Sequence, residues 1–177
     1  WSEDGGVTWS VDDTRPALSP TLKTEINEFY ITNGFGKRCV NYANGCIEDP
    51  RLFWLEGECY MIVACRMFPP GPYWIHDDPI QCAPAWTQTK ENPFGLAASG
   101  NVTVNVLFKV SLDALSHGNY EGAFTYMTHL TDPVYGEDRD VILFPEKISV
   151  TEGLRYICLQ RPWEPHRYPS IGNKKQP

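Results

Sequence analysis

The 177-residue sequence predicts an all-β fold, and two observations carry that prediction. Short apolar and aromatic runs recur between turn signals, whereas no long window repeats apolar residues at helical spacing. Fifteen prolines and fourteen glycines are spread along the chain, where they would interrupt long helices. We therefore expect strands at 52–55, 60–65, 102–110, 123–130, 141–144 and 156–159.

The composition predicts one domain, 1–177, which folds around a core, because 42% of its residues are hydrophobic. The net charge is -7 and the one short basic cluster is Lys174-Lys175, so nucleic acid is not an expected partner. No apolar run reaches the roughly 18 to 20 residues of a membrane helix, so no membrane association is predicted. The six cysteines form no CxxC pair and have no histidine at zinc-finger spacing. Buried thiols are favoured over disulfides, and no metal is predicted.

The amino terminus carries a motif with a known structural role. The run Ser2-Glu-Asp4-Gly-Gly6-Val-Thr8-Trp9 fits the pattern S-x-D-x-G-x-T-W and resembles the Asp box of sialidase-type propellers. In that motif Ser and Asp fix a tight hairpin turn and Trp packs beneath it. A degenerate echo, Ser111-Leu-Asp113, follows the strand predicted to end at Val110. The motif favours a β-propeller.

An internal repeat supports the same architecture. The segment 51–61 aligns without gaps on 147–157, an interval of 96 residues, and each copy predicts a hairpin that turns at Glu-Gly. This interval equals about two blades of a propeller. At roughly 50 residues a blade the chain holds three to four blades, whereas closed propellers have four to eight. We therefore expect a partial propeller within a longer polypeptide, with 69–94 as a Pro-rich loop or insertion.

Charged residues around Pro50 form the first candidate site. Strand alternation predicts that Asp49 and Arg51 point to one face while Glu48 points to the other, and Pro50 predicts a strand start or a bulge. Lys147 occupies the position of Arg51 in the repeat. Carboxylates and cations beside a cavity, in a protein rich in Trp and Tyr, suit a carbohydrate or an anionic ligand. An ordinary ion pair of Asp49 with Arg51 is the structural alternative.

Two longer motifs resemble glycoside hydrolase family 130. The run Gly45-Cys-Ile-Glu48-Asp49-Pro50-Arg51-Leu52 is similar to that family's G-x-E-D-P-R-[IL] signature. The run 139–148, RDVILFPEKI, resembles its [KR]-D-x-x-L-F-P-E-K-I segment. Gln160-Arg161-Pro162 follows where the family commonly has His-Arg-Pro. The resemblance covers roughly residues 1–162 and leaves the Pro-rich insertion unexplained.

This resemblance implies a five-bladed β-propeller enzyme, a glycosidase or glycoside phosphorylase that cleaves β-mannosyl oligosaccharides with inversion. Phosphorolysis, with inorganic phosphate as co-substrate and mannose 1-phosphate as product, is slightly preferred, and no cofactor is implied. Asp49 matches the proposed general acid, which delivers its proton to the glycosidic oxygen through a sugar hydroxyl. The further candidates are Glu48, Arg51 and Asp140 for substrate and Arg139, Lys147 and Arg161 for phosphate.

Several alternatives stay open. Gln160 carries no positive charge, and 111–120 contains no Arg or Lys, so hydrolysis with a second carboxylate competes with phosphorolysis. A non-catalytic carbohydrate-binding propeller is the alternative from another class. A phosphorylase would be cytoplasmic and a hydrolase periplasmic or secreted, and homo-oligomer formation is left open. Minor candidates are His76-Asp77-Asp78 as metal ligands, against a solvated turn, and Trp74, Trp86 and Trp163 as sugar-stacking platforms, against buried core.

Overall fold

The computed structural model describes residues 1–68 and 83–163, and it is mostly β, with 38% strand and 14% helix. The prediction of a mostly-β fold is confirmed. The strands are β1 (Tyr30–Thr32), β2 (Arg38–Val40), β3 (Cys46–Leu55), β4 (Glu58–Arg66), β5 (Val104–Val110), β6 (Phe124–His129), β7 (Glu137–Leu143), β8 (Ile148–Val150), β9 (Gly153–Arg155) and β10 (Cys158–Trp163). Two short α-helices, α1 (Gly95–Ser99) and α2 (Leu112–Ser116), and 3-10 turns at Ile26–Phe29, Ala85–Gln88 and Pro133–Tyr135 complete the described elements.

Five of the six predicted strands overlap β3 to β7, three of them extending one or two residues beyond the observed strand, and the sixth overlaps the start of β10. Strands β3, β4, β5 and β6 form a four-stranded antiparallel sheet in sequence order. The other sheets pair two strands each, β1 with β2, β7 with β10 and β8 with β9. Within the described ranges no sheet closes on itself. No helix in these ranges is long and apolar enough to cross a membrane.

The main core covers one face of the four-stranded sheet. Alternate residues of β4 and β5 point to this face, as the period of a strand requires. They are Cys59, Met61, Val63 and Cys65 on β4 and Val104, Val106, Phe108 and Val110 on β5, all buried. An aromatic group from outside the sheet packs against them, and its members are Phe29, Phe68, Trp86 and Phe94. Of the thiols, Cys39, Cys59, Cys65 and Cys158 are free.

The ribbon of β7 and β10 covers the opposite face of the sheet. Strand β7 contacts β4 and β5. Ile62, Ala64 and Val141 are buried between the ribbon and this face of the sheet. Buried Asn105 fastens the ribbon, because its Nδ2 donates to the carbonyl oxygen of Asp138 over 2.9 Å. The charged ends of β3 and β7 are thereby brought together on this face.

Both repeated hairpins are present. The first turns at Glu56 and Gly57, with φ of 51° and 83°, and joins β3 to β4. The second joins β8 to β9 and is shifted by one residue, because Thr151 and Glu152 form its loop and Gly153, at φ 100°, begins β9. The predicted hairpins are thus confirmed, with glycine at positive φ in each.

The amino-terminal motif forms the tight turn that its sequence predicts. The carboxylate of Asp4 accepts hydrogen bonds from the backbone N–H groups of Val7 and Thr8, and Ser2 Oγ accepts from Gly6 N–H over 2.7 Å. Trp9 Nε1 donates to the Gly6 carbonyl over 3.0 Å, so the indole does fold back on the turn. Hydrogen bonds from the hydroxyl and then the backbone N–H of Thr8, together with those from Ser2 Oγ and Val7 N–H, hold the pKa of Asp4 well below its usual range.

The proposed echo of this motif at Ser111 is wrong. Ser111 Oγ accepts a hydrogen bond from Ala114 N–H over 3.2 Å and caps the short helix α2. A serine followed two residues later by an aspartate also suits a helix start, because both side chains accept from free N–H groups. The echo therefore adds nothing to the count of propeller motifs.

The Pro-rich segment is described only in part, since 69–82 lies outside the described residues together with Trp74, His76, Asp77 and Asp78. From residue 83 the chain forms a 3-10 turn, Ala85–Gln88, and Phe94 is buried. Trp86 packs against Phe29 with ring centroids 5.5 Å apart, and its Nε1 donates to the Thr24 carbonyl over 2.8 Å. Trp86 therefore belongs to the core.

Candidate functional site

A β-bulge places Asp49 at the edge of the sheet. Glu48 pairs with Ala64 and Arg51 pairs with Ile62, so Asp49 and Pro50 together oppose the single residue Val63. Asp49 has φ 52°, a conformation that glycine usually supplies at the first position of such a bulge. Pro50 has no N–H to offer to the ladder, which suits a position where the pairing is interrupted. Of the two alternatives predicted from Pro50, a strand start or a bulge, the structure has the bulge.

The bulge changes which side chains share a face. Glu48 and Arg51 pair with residues two apart on β4, and paired residues of antiparallel strands point to the same face. Strict alternation predicted Glu48 on the face opposite Arg51, and this prediction is wrong because the bulge inserts one extra residue between them. Glu48 therefore joins Arg51 on the face that meets β7.

A second bulge lies on β7, directly across from the first. Arg139 pairs with Arg161 and Ile142 pairs with Leu159, so Asp140 and its successor together oppose one residue of β10. Asp140 has φ 59°, again in the left-handed region that favours glycine. Aspartate tolerates this region better than most residues do, but the conformation is still strained and is concentrated at functional sites.

The carboxylate of Asp140 joins two arginines from different strands. Its Oδ1 lies 2.5 Å from Nη2 of Arg51, and its Oδ2 lies 2.6 Å from Nη2 of Arg161. The second arm of Arg51 donates to the carbonyl oxygen of Asp49 over 3.3 Å. Arg51 therefore connects the two bulges, one through a carboxylate and the other through the backbone.

Glu137, three residues before Asp140, also serves two arginines. Its Oε1 accepts from Nε and Nη2 of Arg139 over 3.0 and 2.9 Å and lies 3.6 Å from Nη2 of Arg66. Thr103, which is buried, donates to the same oxygen over 2.7 Å. The cluster so formed holds four guanidinium groups on four strands, β3, β4, β7 and β10.

The surrounding charges shift several pKa values. Burial raises the pKa of Asp138, although the Arg161 N–H donates to that carboxylate over 3.2 Å. Burial also disfavours the charged form of Glu137, but hydrogen bonds from Thr103 and Arg139 outweigh it and lower the pKa. Burial lowers the pKa of Arg139, but the hydrogen bond and charge of Glu137, followed by the charges of Glu48 and Asp49, raise this pKa by more. These two carboxylates therefore lie within the field of Arg139.

Glu48 and Asp49 differ from the other carboxylates of the cluster. Within 1–68 and 83–163, neither side chain makes a hydrogen bond or an ion pair, and Asp49 is exposed. The cluster thus presents two available carboxylates beside arginines whose positions are fixed.

Six of the seven predicted site residues come together here, and Lys147 is the exception. Its Nζ lies 2.6 Å from Oε1 of Glu56 and 5.1 Å from the ring centroid of Tyr156. Glu56 lies in the turn after β3, about 20 Å along the strand from Asp49 at 3.3 Å per residue. Lys147 therefore joins the two repeated hairpins and lies apart from the arginine cluster.

Sequence analysis missed four members of the cluster, which are Arg66, Thr103, Glu137 and Asp138. The run of four charged residues at 137–140 could have indicated Glu137 and Asp138. Alternation along a strand puts two of the four on each face, so at least one pair must be accommodated on the buried face. Arg66 and Thr103 carried no comparable signal. Among the described residues, no three His, Cys, Asp or Glu side chains are arranged to hold a metal ion.

Comparison of the chain with protein-family models, with curated proteins and with solved structures finds no match in any of the three. The site is therefore interpreted from its own residues and from the resemblance of its two motifs.

Proposed function

We propose that this protein cleaves β-mannosidic bonds in oligosaccharides with inversion at the anomeric carbon, and that Asp49 is the proton donor. In the preferred reaction, phosphate attacks the anomeric carbon, the glycosidic C–O bond breaks, and the proton of Asp49 reaches the glycosidic oxygen through a sugar hydroxyl. The products are mannose 1-phosphate and the shortened oligosaccharide. The proposal rests on the family resemblance of the residues that form this cluster.

One observation carries the proposal, namely the state of Asp49. It has a strained backbone at φ 52°, an exposed side chain and no ion pair among the described residues. A carboxylate committed to stability would be paired, as Asp140 and Glu137 are. Backbone strain that no stabilising contact offsets is typical of residues that act on a ligand.

The cations around Asp49 favour phosphorolysis. Phosphate is already an anionic nucleophile, so it needs donors that position it rather than a base that activates it. Arg139 and Arg161 are the best candidates, because guanidinium groups bind phosphate through two parallel hydrogen bonds. Each has other N–H groups beyond those bound to Glu137 and Asp140.

Hydrolysis by the same general acid is the second candidate reaction, and Glu48 favours it. Inverting hydrolysis needs a second carboxylate to activate water. Glu48 makes no ion pair within the described ranges and faces the same ribbon as Arg51. A non-catalytic carbohydrate-binding propeller is the third candidate, and it requires only that the cluster bind sugar.

For the fold, we propose a five-bladed β-propeller of which this chain forms part. The four-stranded antiparallel sheet in sequence order has the composition of one blade. Leu52 and Trp54, on its edge strand β3, are 64% and 56% exposed. Packing against a neighbouring blade would bury these side chains, as it does in propellers.

The deciding experiment incubates the protein with β-mannobioses of different linkage, with and without inorganic phosphate, and identifies the products. Asp49→Asn is measured in parallel, with Asp13→Asn as the matched control because Asp13 is exposed in the amino-terminal region, outside the cluster. We expect mannose 1-phosphate only when phosphate is present. Asp49→Asn should lose about 10²- to 10⁴-fold in turnover while still binding the disaccharide, and Asp13→Asn should behave as the wild type.

Other outcomes distinguish the candidates. Free mannose produced without phosphate favours hydrolysis, and a further loss in Glu48→Gln would assign the base. Binding without cleavage of any mannobiose favours the carbohydrate-binding module. Unchanged turnover in Asp49→Asn would overturn the assignment of the proton donor.

A further inference from the structure

The role of Asp140 can be inferred from what its carboxylate contacts. Both oxygens are occupied by guanidinium groups, Oδ1 by Arg51 and Oδ2 by Arg161, at 2.5 and 2.6 Å. The side chains of Asp140 and Arg51 are about one third exposed, at 31% and 33%. Each oxygen thus has one guanidinium contact, to Arg51 on β3 and to Arg161 on β10. The contacts that the structure shows for this carboxylate are therefore made to arginines of the site itself.

The backbone conformation of Asp140 also favours the contacts of its carboxylate with the two arginines. The bulge on β7 gives Asp140 a φ of 59° and redirects its side chain toward β3, as bulges beside active sites commonly do. A regular strand would leave the alternating register intact, and the carboxylate would not reach arginines on both β3 and β10. The strain is thus associated with one geometric result, the simultaneous binding of Arg51 and Arg161.

The consequence for Asp49 follows from the second arm of Arg51. That arm donates to the carbonyl oxygen of Asp49 over 3.3 Å, so a continuous chain of contacts runs from Asp140 through Arg51 to the bulge that carries the proposed acid. Arginine side chains have many rotamers, and a fixed partner removes most of that freedom. We propose that Asp140 is a positioning residue that holds Arg51 and Arg161 and thereby fixes the Asp49 bulge. This rests on the proposed function of Asp49.

Three substitutions separate the carboxylate from the backbone conformation. Asp140→Glu keeps a carboxylate but adapts poorly to positive φ, Asp140→Asn keeps the shape without the charge, and Asp140→Gly suits positive φ best but lacks the side chain. If the carboxylate positions the arginines, Asp140→Glu retains the most activity. If only the backbone shape matters, the order is reversed and Asp140→Gly is the most active.

The kinetic readout distinguishes positioning from substrate contact. We expect kcat of Asp140→Asn with mannobiose to fall about 10- to 100-fold while KM for the sugar changes little, since misplacement of a catalytic group affects the transition state. Combining Asp140→Asn with Arg51→Lys should cost little more than Asp140→Asn alone, because both changes break the contact between Asp140 and Arg51. Additive losses, or a rise in KM with kcat unchanged, would overturn the proposal.

A second measurement does not depend on catalysis. In protein labelled with ¹⁵N-arginine, the Nη2–Hη2 signals of Arg51 and Arg161, the groups that contact Asp140, are assigned with Arg51→Lys and Arg161→Lys. We expect both signals to be protected from water exchange in the wild type and in Asp49→Asn. Both should lose protection in Asp140→Asn, and in Asp140→Gly if the former does not fold. Persistent protection without the carboxylate overturns the positioning role.

The two measurements keep the two proposals separate. If the wild type cleaves no mannoside, the proposed function fails, and the arginine signals still decide the role of Asp140. If cleavage occurs and Asp140→Gly matches the wild type, the function stands and the positioning role is wrong.

Discussion

The bulges at Asp49 and Asp140 share a backbone conformation but differ in what their side chains do. Each inserts one extra residue in a strand, and each begins with an aspartate at positive φ, 52° on β3 and 59° on β7. The Asp140 carboxylate binds two arginines, whereas the Asp49 carboxylate binds no described side chain. The same strain is thus offset at one bulge by ion pairs and at the other by nothing within the described residues.

The comparison shows that one aspartate of a site can stabilise its structure while another stays available for chemistry. A left-handed conformation in a non-glycine residue costs about 1–2 kcal/mol. The ion pairs of Asp140, with the partly buried Arg51 and the exposed Arg161, offset that cost locally. At Asp49 the stability of the rest of the fold offsets the strain energy. This pattern is expected for a residue that takes part in a reaction.

Glycine substitution at the two bulges tests the comparison most strongly. Asp49→Gly relieves the backbone strain and removes no contact, so the free energy of unfolding should rise by about 0.5–1 kcal/mol. Asp140→Gly also relieves strain but releases Arg51 and Arg161, so the free energy of unfolding should fall by about 1–2 kcal/mol. Urea denaturation of the two variants at pH 7 measures both changes.

The matched controls are Asp49→Ala and Asp140→Ala. Alanine is disfavoured at positive φ, so each should be less stable than the corresponding glycine variant by about 1–2 kcal/mol. A loss of stability in Asp49→Gly would mean that the Asp49 carboxylate has a structural partner, and the contrast between the bulges would then disappear.

Glu137 tests whether a shared carboxylate needs a bulge at all. It binds Arg66 and Arg139 from β7 without positive φ, and its side chain is 34% exposed. Glu137→Gln should lower the free energy of unfolding at pH 7 by about 1 kcal/mol, a modest effect because solvent screens the group. Thr103→Val, which removes the hydroxyl that donates to Glu137 and accepts from Arg66 Nε, is the companion variant.

The pH dependence of the Glu137→Gln effect has a defined sign. The pKa of Glu137 is lowered in the folded protein, so its contribution is present above the unfolded value of about 4.3 and is lost as pH falls through the folded value. Denaturation curves from pH 7 down to pH 3 should therefore show the wild type and the variant converging. A difference that grows at low pH would contradict the assignment of hydrogen bonds to this carboxylate.

Lys147 should give the smallest effect. It pairs with Glu56 in the hairpin region, and both side chains are exposed, so Lys147→Ala should leave turnover and its dependence on phosphate within about twofold of the wild type. Arg139→Lys, inside the cluster, is the comparison and should raise the phosphate concentration needed for half-maximal rate. A similar rise in Lys147→Ala would mean that Lys147 does contribute to phosphate binding.

Local sequence patterns predicted much of the fold for clear reasons. Apolar alternation gave the strands of the four-stranded sheet, and glycine after glutamate marked both hairpins, because turns depend on φ preferences of single residues. The hydrogen bonds of Ser2 and Asp4 follow in the same way from contacts no more than six residues apart. Ser111 shows the limit, since the same residue types also cap helices.

The charged residues are evident from the sequence alone, and Pro50, which has no N–H for a ladder, predicts a strand start or a bulge there. Which of those charges meet depends on the packing of the strands. A one-residue bulge reverses the face of every side chain beyond it, so strict alternation placed Glu48 wrongly. The approach of β7 to β3 paired Arg51 with Asp140, 89 residues apart, and left Lys147 with Glu56. Ion pairs between distant residues depend on how sheets are stacked, and no local pattern encodes that.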